Sequence, residues 1–279
     1  MKAKKIQTKL IDSMDLGLSG KTALVTGGSK GIGFGIAKAL AQEGCHLSIC
    51  ARHSEELKEA AQKLRKYGVK VLPIAANLLH QSDIDKLVDH SFDELGTIDI
   101  LVNNAGTIGE NGTLEETPLD EWRSVFELNL FAVVALTRQI IPKMKEQEWG
   151  RIINVSSENG SQPYPDMMHY SASKGALDNF SKSLSKQYGD EGILVNTISP
   201  AFIETPLVND MMQQMADEQG IGKEQVIKKF LDDNRPHIEL HRPGTIDEVG
   251  AVAAFLASER ASFVTGSNYR IDGGSVAAE

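Results

Sequence analysis

Short apolar segments rich in β-branched residues alternate with longer segments of helical periodicity along nearly the whole chain. Residues 21–28 (KTALVTGG) predict a buried strand ending in a glycine turn, and residues 31–44 then place apolar side chains at helical spacing. Strands that are apolar on both faces and alternate with helices form parallel sheets covered on both sides. The sequence therefore predicts an α/β fold with a doubly wound, seven-stranded parallel sheet. The other strands are predicted at 46–51, 69–76, 98–106, 150–157, 193–200 and 268–274, and the other helices at 55–67, 83–95, 118–144, 167–188 and 246–257.

The domain organisation follows from what interrupts this alternation. No linker rich in Pro, Gly or Ser and no internal repeat divides the chain, so a single domain is predicted over 14–279. Residues 1–13 are basic and lack the apolar stretch of a secretion signal, and we expect a flexible extension there. The segment at about 205–243 far exceeds the roughly 2–6 residues of an ordinary connection between a helix and a strand. Because long insertions often form binding loops, we expect this segment to be a substrate lid.

Charge and cysteine content argue against several classes of protein. The net charge of −9 disfavours binding to nucleic acid or to an anionic membrane by bulk attraction. No apolar run approaches the ~20 residues that span a bilayer. Cys45 and Cys50 are predicted on one buried strand and indicate neither a disulfide framework nor a metal site, which fits a reducing compartment. We therefore expect a cytoplasmic protein with no metal, nucleic acid or membrane as partner.

The first predicted strand leads into TGGSKGIG at 26–33, with glycines at 27, 31 and 33 around the turn. At such a turn the helix N-terminal amides can meet a pyrophosphate, and the missing side chains let the backbone approach it. The spacing is Gly-x-x-x-Gly-x-Gly. A purely structural turn is the alternative, but the position after the first strand of an α/β pattern favours dinucleotide binding.

The end of the second predicted strand bears on which dinucleotide is preferred. A carboxylate there would bind the ribose hydroxyls of NAD(H) and repel a 2′-phosphate. The chain instead reads CARHSEEL, with Ala51 at the strand end and Arg52 next. Arg52 and Lys30 of the glycine turn are cations on adjacent loops that can converge on a 2′-phosphate. Either cation alone is equally well explained as an ordinary solvated charge. Together, and with no acidic residue at the end of the second strand, they predict NADP(H).

A set of short motifs follows in a fixed order over residues 20–274. The motifs are TGGSKGIG at 26–33, NNAG at 103–106, an asparagine at 129, NVSS at 154–157, YSASK at 170–174 and VNTISP at 195–200. By these motifs the chain resembles the short-chain dehydrogenase/reductase family, in the branch that contains 3-oxoacyl-carrier-protein reductases and related carbonyl reductases. The resemblance implies a Rossmann-type fold and an oxidoreductase.

The resemblance also implies catalytic roles. Tyr170 would be the general acid in reduction and the general base in oxidation. Lys174 would lower the pKa of Tyr170 and bind the nicotinamide ribose. Ser157, thirteen residues before the tyrosine, would hydrogen-bond the substrate carbonyl, and Ser156 is the less favoured candidate on that spacing. Asn129 would complete a proton relay through water and the lysine.

Elementary chemistry supports a tyrosine and a lysine at this spacing. An unperturbed tyrosine has a pKa of about 10, too high for easy proton exchange at neutral pH. A nearby cation stabilises the phenolate, and residues four apart share one face of a helix. By themselves, however, a tyrosine and a lysine at this spacing more often reflect packing and a solvated charge.

The resemblance also places residues against the cofactor, with two departures from the family pattern. Ala201 stands where the family often has glycine, and Asn77 stands where it usually has aspartate. An amide can both donate to and accept from an adenine edge, so Asn77 is kept as a contact. The predicted cofactor contacts are Gly27, Ser29, Lys30, Gly31, Ile32, Gly33, Arg52, Asn77, Leu78, Asn104, Ala105, Gly106, Tyr170, Lys174, Pro200, Ala201, Ile203 and Thr205.

The substrate wall is predicted from residues near the catalytic motifs and in the lid. Methionines adapt to irregular apolar ligands, although packing of the lid against the body explains Met211, Met212 and Met215 as well. His169 either tunes Tyr170 or packs. The predicted substrate contacts are Glu158, Gln162, Met168, Phe202 and Met211.

The sequence thus predicts an NADP(H)-dependent oxidoreductase that interconverts a carbonyl and a secondary alcohol. A 3-oxoacyl thioester is one candidate substrate, and a sugar, a steroid, a quinone or another small ketone is the alternative. A cofactor-sensing regulator without chemistry is the competing class. The helical pattern at 118–144 is apolar nearly all round, which fits a homo-oligomer, a tetramer or a dimer, as well as a thick core.

Overall fold

Seven parallel strands form the central sheet of the computed structural model, which describes residues 15–277. The sheet order is β3-β2-β1-β4-β5-β6-β9, so the predicted doubly wound sheet of seven strands is confirmed. The extension predicted at 1–13 lies outside the described residues. The strands are β1 (Thr22–Thr26), β2 (His46–Ala51), β3 (Val71–Ala75), β4 (Ile100–Asn103), β5 (Gly150–Val155), β6 (Ile193–Pro200) and β9 (Asn268–Ile271), while β7 (Ile203–Glu204) and β8 (Gly244–Thr245) pair separately.

Helices cover both faces of this sheet, because successive side chains of each strand point to opposite faces. Val25 of β1 packs in the core on one face, and its neighbour Leu24 packs in the core on the other. The helices are α1 (Gly31–Gln42), α2 (Ser54–Arg65), α3 (Gln81–Leu95), α4 (Leu119–Phe126), α5 (Ala132–Glu146), α6 (Met168–Tyr188), α7 (Pro206–Gln219), α8 (Lys223–Asn234) and α9 (Ile246–Ala257). Helices α1, α2 and α9 contribute to the first core, and α3, α5 and α6 contribute to the second.

The strand order reverses at β1, which pairs with β2 on one side and with β4 on the other. In doubly wound sheets the crevice beyond the carboxyl ends of the strands at such a reversal is the usual ligand site. The glycine turn follows β1 here, and Asn104 follows β4. The topology therefore places the predicted cofactor motifs at one edge of the sheet.

Helices α1 and α9 approach closely because each contributes a glycine at the contact. A Cβ added to Gly35 would lie 2.5 Å from the backbone oxygen of Ile246, and a Cβ on Gly250 would lie 2.6 Å from the oxygen of Gly35. No side chain fits at either position without moving the backbone. This packing fixes α1, whose N-terminus forms the glycine turn.

Helices α4 and α5 form one continuous helix through a π-helical turn at Glu127–Phe131. By length and composition the helix over 119–146 meets the criterion for a membrane span, which the sequence did not lead us to expect; no other helix in residues 15–277 meets it. Its side chains Leu136, Ile140 and Met144 are buried in the core. Core helices of soluble proteins pass the same test.

The segment predicted as a lid consists of α7 and α8, bracketed by β7 and β8. The Thr205 hydroxyl caps α7 by accepting from the backbone N–H of Val208, and Pro206 starts the helix. Met212 and Val226 are buried in a small core between the two helices. That this segment acts as a substrate lid stays a prediction.

The cysteines are both buried and free, although Cys45 precedes β2 rather than lying on it. Burial raises the pKa of each thiol to about 12. Because the thiolate is the reactive form, both are inert packing residues.

Candidate active site

The glycine turn between β1 and α1 is closed so tightly that side chains are excluded. Gly27 has a positive φ of 65°, and a Cβ there would lie 2.7 Å from the Nδ2 atom of Asn104. A Cβ on Gly33 would collide with the oxygen of Gly27. Asn104 holds the turn by donating to the backbone oxygen of Thr26 at 2.8 Å. The turn therefore presents bare backbone at the N-terminus of α1, as a pyrophosphate site requires.

A cavity of about 240 Å³ lies next to this turn, beyond the carboxyl ends of β1, β2 and β3. Predicted cofactor residues line it: Gly27, Ser29, Lys30, Arg52, Asn77, Leu78, Ala105 and Gly106. His53, Glu56 and Leu128 also line it and were missed from the sequence. The Lys30 ammonium lies 3.3 Å from Glu56 Oε2, so one of the two predicted cations already has a carboxylate partner. CARHSEEL itself contains Glu56, but only the fold brings it to Lys30.

Other predicted cofactor residues lie outside this cavity. A Cβ on Gly31 would lie 3.4 Å from Thr205 Cγ2, so the start of the lid contacts the glycine turn. Ile203 is buried in β7. Pro200 ends β6, and Ala201 follows it and donates its backbone N–H to Ile271. Ala201 and Phe202 line a second cavity of about 240 Å³ toward the chain's C-terminal segment. Ile32 packs against the core of the first face.

Ser157 and Tyr170 are brought together by β5 and α6. Ser157 follows β5 and caps the short turn Glu158–Gly160 by accepting from the backbone N–H of Asn159 at 3.2 Å. Tyr170 lies in the first turn of α6, and the Ser157 hydroxyl is close enough to the phenol to influence its pKa. Ser156 instead donates to the backbone oxygen of Lys174 at 3.4 Å. The structure thus places Ser157, and not Ser156, against the phenol.

Burial raises the pKa of Tyr170 above its usual value, and the charges of Glu158 and Asp178 act in the same direction. The nearby Ser157 hydroxyl acts in the opposite direction and lowers the pKa. The direction differs from the expected lowering by Lys174, whose ammonium lies 5.7 Å from the ring centroid and donates to the oxygen of Val155 at 2.8 Å. A neutral phenol is the form that donates a proton.

Lys174 is 4% exposed, and burial lowers its pKa to about 8. The space beside its ammonium is kept open by Gly106, where a Cβ would lie 3.6 Å from Nζ. The lysine therefore faces the loop that follows β4, next to the predicted nicotinamide position.

Asn129 lies in the π-helical turn, fully buried. Its Nδ2 donates to the oxygen of Thr107 at 2.9 Å and to the hydroxyl of Ser173 at 3.0 Å, while its Oδ1 accepts from the N–H of Thr107. The Asn129 side chain therefore joins the loop after β4 to the catalytic helix. π-Helical turns often occur at functional sites, because they change the register of the backbone.

The predicted substrate residues fall into two groups. Glu158 adjoins the Ser157–Tyr170 pair: it is 3% exposed, and its Oε1 accepts from the Tyr164 hydroxyl at 3.1 Å. It also lies 3.8 Å from the Nε of Arg235 at the end of α8. Burial raises the pKa of Glu158, against the opposing effects of Ser275, Tyr164 and Arg235. A buried carboxylate beside the phenol is the most unusual feature of this wall.

The second group serves packing. Gln162 donates to the oxygen of Ser275 and accepts from Ala277, and Phe202 stacks on Phe230 of α8 with ring centroids 5.0 Å apart. Met211 is 40% exposed, and Met215 packs on the small lid core around Met212. His169 is buried against Trp122. Met168 begins α6.

Two functional candidates were missed from the sequence. Arg235 joins the lid to Glu158 across a long stretch of chain, which no local pattern reveals. Asp178 lies four residues after Lys174 on α6, and that spacing alone could have identified it. Among residues 15–277, no group of three or more His, Cys, Asp or Glu side chains is placed to hold a metal ion.

Comparison with known proteins adds a family to this geometry. The model of the short chain dehydrogenase family matches residues 21–216. The 3-oxoacyl-(acyl-carrier-protein) reductase of Aquifex aeolicus is 36% identical over 262 residues, which cover 94% of this chain and 99% of that protein. L-Sorbose reductase from Gluconobacter frateurii, solved with NADPH and L-sorbose, superposes with a TM-score of 0.90 at 36% identity, over 95% of this chain and 100% of that one. The 3-ketoacyl-(acyl-carrier-protein) reductase from Brucella melitensis, solved with NADH, superposes with a TM-score of 0.81 at 30% identity, over 93% and 99%.

Proposed function

The chain belongs to the short-chain dehydrogenase family, whose members are oxidoreductases, and from this premise we propose that it interconverts a carbonyl compound and a secondary alcohol with NADP(H). The observation that carries the proposal is that the Ser157 hydroxyl lies against the Tyr170 phenol, with the buried Lys174 one helical turn after the tyrosine. A donor, an acid and a cation so placed suit a carbonyl oxygen that becomes an alkoxide.

The residues at the reversal of the sheet fit a nicotinamide dinucleotide. The glycine turn presents bare backbone at the N-terminus of α1, where a pyrophosphate can bind, since Gly27 and Gly33 carry no side chain. The cavity between β1 and β3 has Arg52 and Lys30 on its wall and no carboxylate at the end of β2. This arrangement supports NADP(H), although solved relatives carry NADPH in one case and NADH in another.

The bound cofactor would supply or accept the hydride. Ser157 would donate a hydrogen bond to the substrate oxygen, and Tyr170 would give that oxygen its proton in reduction and take it back in oxidation. Lys174 would bind the nicotinamide ribose, and its positive charge would stabilise the phenolate of Tyr170. Proton donation in reduction starts from the neutral phenol, and burial, which raises the pKa of Tyr170, stabilises that form.

The substrate wall bears on the two candidate classes of substrate. A 3-oxoacyl thioester, the substrate class named for the Aquifex aeolicus relative, needs an apolar path for its chain. Glu158 places a buried carboxylate beside the reacting position, and Tyr164 and Arg235 surround it with polar groups; Arg235 also stacks on the Tyr164 ring at 4.0 Å. These polar groups favour a small hydroxylated ketone, in line with the sorbose reductase.

A matched substrate series tests this choice. With NADPH, we expect kcat/KM for the hydroxylated hexan-2-ones L-sorbose and D-fructose to exceed that for 2-hexanone by more than about 10²-fold, because a site that binds hydroxyls rejects the analogue without them. Glu158→Gln should lower the ketose value about tenfold or more and leave the 2-hexanone value unchanged. The measurement is the initial rate of NADPH consumption.

The controls separate the outcomes. Glu204→Gln removes an exposed carboxylate from β7 and should change neither rate. A higher kcat/KM for acetoacetyl-coenzyme A than for either ketose would assign the thioester class instead. Tight NADPH binding with no turnover on a broad carbonyl panel would favour the cofactor-sensing regulator.

Oligomeric state and compartment stay predictions. A groove between α5 and α6, lined by apolar residues such as Val134, Ile141 and Phe180, and the 52% exposure of Phe131 on the same long helix fit the expected dimer or tetramer. The expected cytoplasmic location rests on the sequence alone.

A further inference from the structure

Asp178 lies on α6 one helical turn after Lys174, on the same face of the helix. Its Oδ2 accepts from the Nδ2 of Asn268 on β9 at 3.4 Å. A Cβ on Gly160 would lie 2.5 Å from the same oxygen, so the turn that follows Ser157 packs its backbone directly on the carboxyl group. Asp178 thus contacts the catalytic helix, the serine turn and the edge strand at once.

The surroundings of Lys174 show why a nearby carboxylate matters for the protonation of this lysine. The lysine is more than nine-tenths buried, and its ammonium donates a hydrogen bond to a neutral acceptor, the Val155 oxygen, at 2.8 Å. A buried ammonium with neutral partners loses its proton easily. Of the charged groups that act on Lys174, Asp178 is the one that favours the protonated form.

We propose that Asp178 is a positioning residue that keeps Lys174 protonated for cofactor binding and fixes the turn that carries Ser157. The proposal rests on the proposed function in one respect, the use of Lys174 as the cation at the nicotinamide ribose. It goes beyond that function by assigning a role to a residue outside the Asn–Ser–Tyr–Lys set.

The groups that face Asp178 support an electrostatic role. Lys174 and Tyr170 are the titratable groups of its own helix that respond to it, while Ser156 and Asn268 approach from β5 and β9 and are neutral. Lys182, one turn further, donates to the oxygen of Gly266 instead. Glu158 acts on Tyr170 from the serine turn.

The titration of the pair follows from these contacts. Burial raises the pKa of Asp178 to about 6, and Ser156 and Lys174 oppose the shift. Burial lowers the pKa of Lys174 to about 8. Between these two values the carboxylate and the ammonium are both charged, so this is the window in which Asp178 supports Lys174. The negative charge of Asp178 raises the pKa values of both Lys174 and Tyr170. Removing the carboxylate therefore lowers both values.

Asp178→Asn tests the proposal through two readouts. The first is the pH dependence of Lys174 acetylation by trace acetic anhydride, measured by mass spectrometry on the protein without added cofactor. We expect the midpoint to fall by about one pH unit. The second is the pH profile of kcat/KM with NADPH and the best ketone of the substrate series. The pKa of the alkaline limb of this profile should fall by about one unit. The variant should then keep nearly the parent activity at about pH 6 and have about tenfold less than the parent at about pH 9.

Matched variants decide the interpretation. Asp178→Glu keeps the charge and should restore both midpoints, whereas Asp190→Asn removes an exposed carboxylate after α6 and should move neither. Asp178→Ser gives the same test if the asparagine variant does not fold. A folded neutral variant with an unchanged Lys174 midpoint, or failure of both neutral variants to fold, would overturn the proposal. If no carbonyl is reduced at all, the proposed function fails while the acetylation readout still decides the role of Asp178.

Discussion

Tyr170→Phe is expected to lower kcat/KM for carbonyl reduction with NADPH by about 10³-fold, because general acid catalysis contributes roughly 10²–10⁴-fold. The substitution removes only the hydroxyl that lies against Ser157, and the ring keeps its place in the first turn of α6. Binding of NADPH, followed by its fluorescence, should change by less than about threefold, since the Lys174 ammonium bonds the Val155 oxygen rather than the phenol.

The control for this prediction is Tyr188→Phe at the far end of α6, beneath the Lys145 ammonium, which should leave the rate unchanged. Ser157→Ala should cost about 10²-fold through loss of a donor to the developing oxyanion. Turnover of any ketone that Tyr170→Phe leaves intact would remove the tyrosine from the mechanism.

Arg52→Ala is expected to weaken NADPH about 10- to 100-fold and to leave NADH almost unchanged, because a hydrogen bond to a charged group contributes about 1.5–3 kcal/mol. Arg52 lines the cavity at the ends of β1 to β3, where a 2′-phosphate would lie. The measurement is the dissociation constant of each cofactor at one fixed ionic strength, since exposed charges are screened by salt.

Glu56 sharpens this test. Its carboxylate lies 3.3 Å from Lys30 and would repel a phosphate in the same cavity. Glu56→Gln should therefore tighten NADPH several-fold and have little effect on NADH. Lys58→Ala removes a cation that pairs with Glu55 and does not line the cavity, so it serves as the charge-matched control for Arg52→Ala. Equal losses of NADPH and NADH in Arg52→Ala would refute a 2′-phosphate contact.

The sequence predicted the elements of the central sheet closely, because their buried apolar residues follow the regular spacing of strands and helices. Strands β2 and β6 and helix α9 have the predicted bounds, 46–51, 193–200 and 246–257. Some errors fall at the ends of elements, others fall inside them, and helices α7 and α8 were not predicted. The strand predicted over 98–106 forms a ladder only at Ile100–Asn103, because Asn104 turns away to bond the glycine turn. The helix predicted over 118–144 contains a π-helical turn that no periodicity marks.

The catalytic motifs were also readable, because each is a short segment with fixed spacing. Tyr170 and Lys174 share a helix face by sequence separation alone, and the helix over 168–188 places them so. The pairing of Ser157 with Tyr170 needed the fold, since β5 and α6 bring them together across a turn. The predicted lowering of the tyrosine pKa was not met, because burial of the phenol and the charges of Glu158 and Asp178 all raise it, and the lysine bonds a backbone oxygen instead.

By itself the sequence determined the doubly wound sheet and the glycine turn, because periodicity and local spacing encode them, and its resemblance to the short-chain dehydrogenase/reductase family predicted the Asn129, Ser157, Tyr170 and Lys174 set. Only the tertiary structure decided what surrounds that set. Glu56 meets Lys30, Arg235 meets Glu158, and Asp178 meets the serine turn through contacts that depend on which elements pack together. Burial is the largest cause of the pKa shifts of Tyr170, Lys174 and the carboxyl groups of Glu158 and Asp178. It is a property of the folded chain, and no local stretch of sequence carries it.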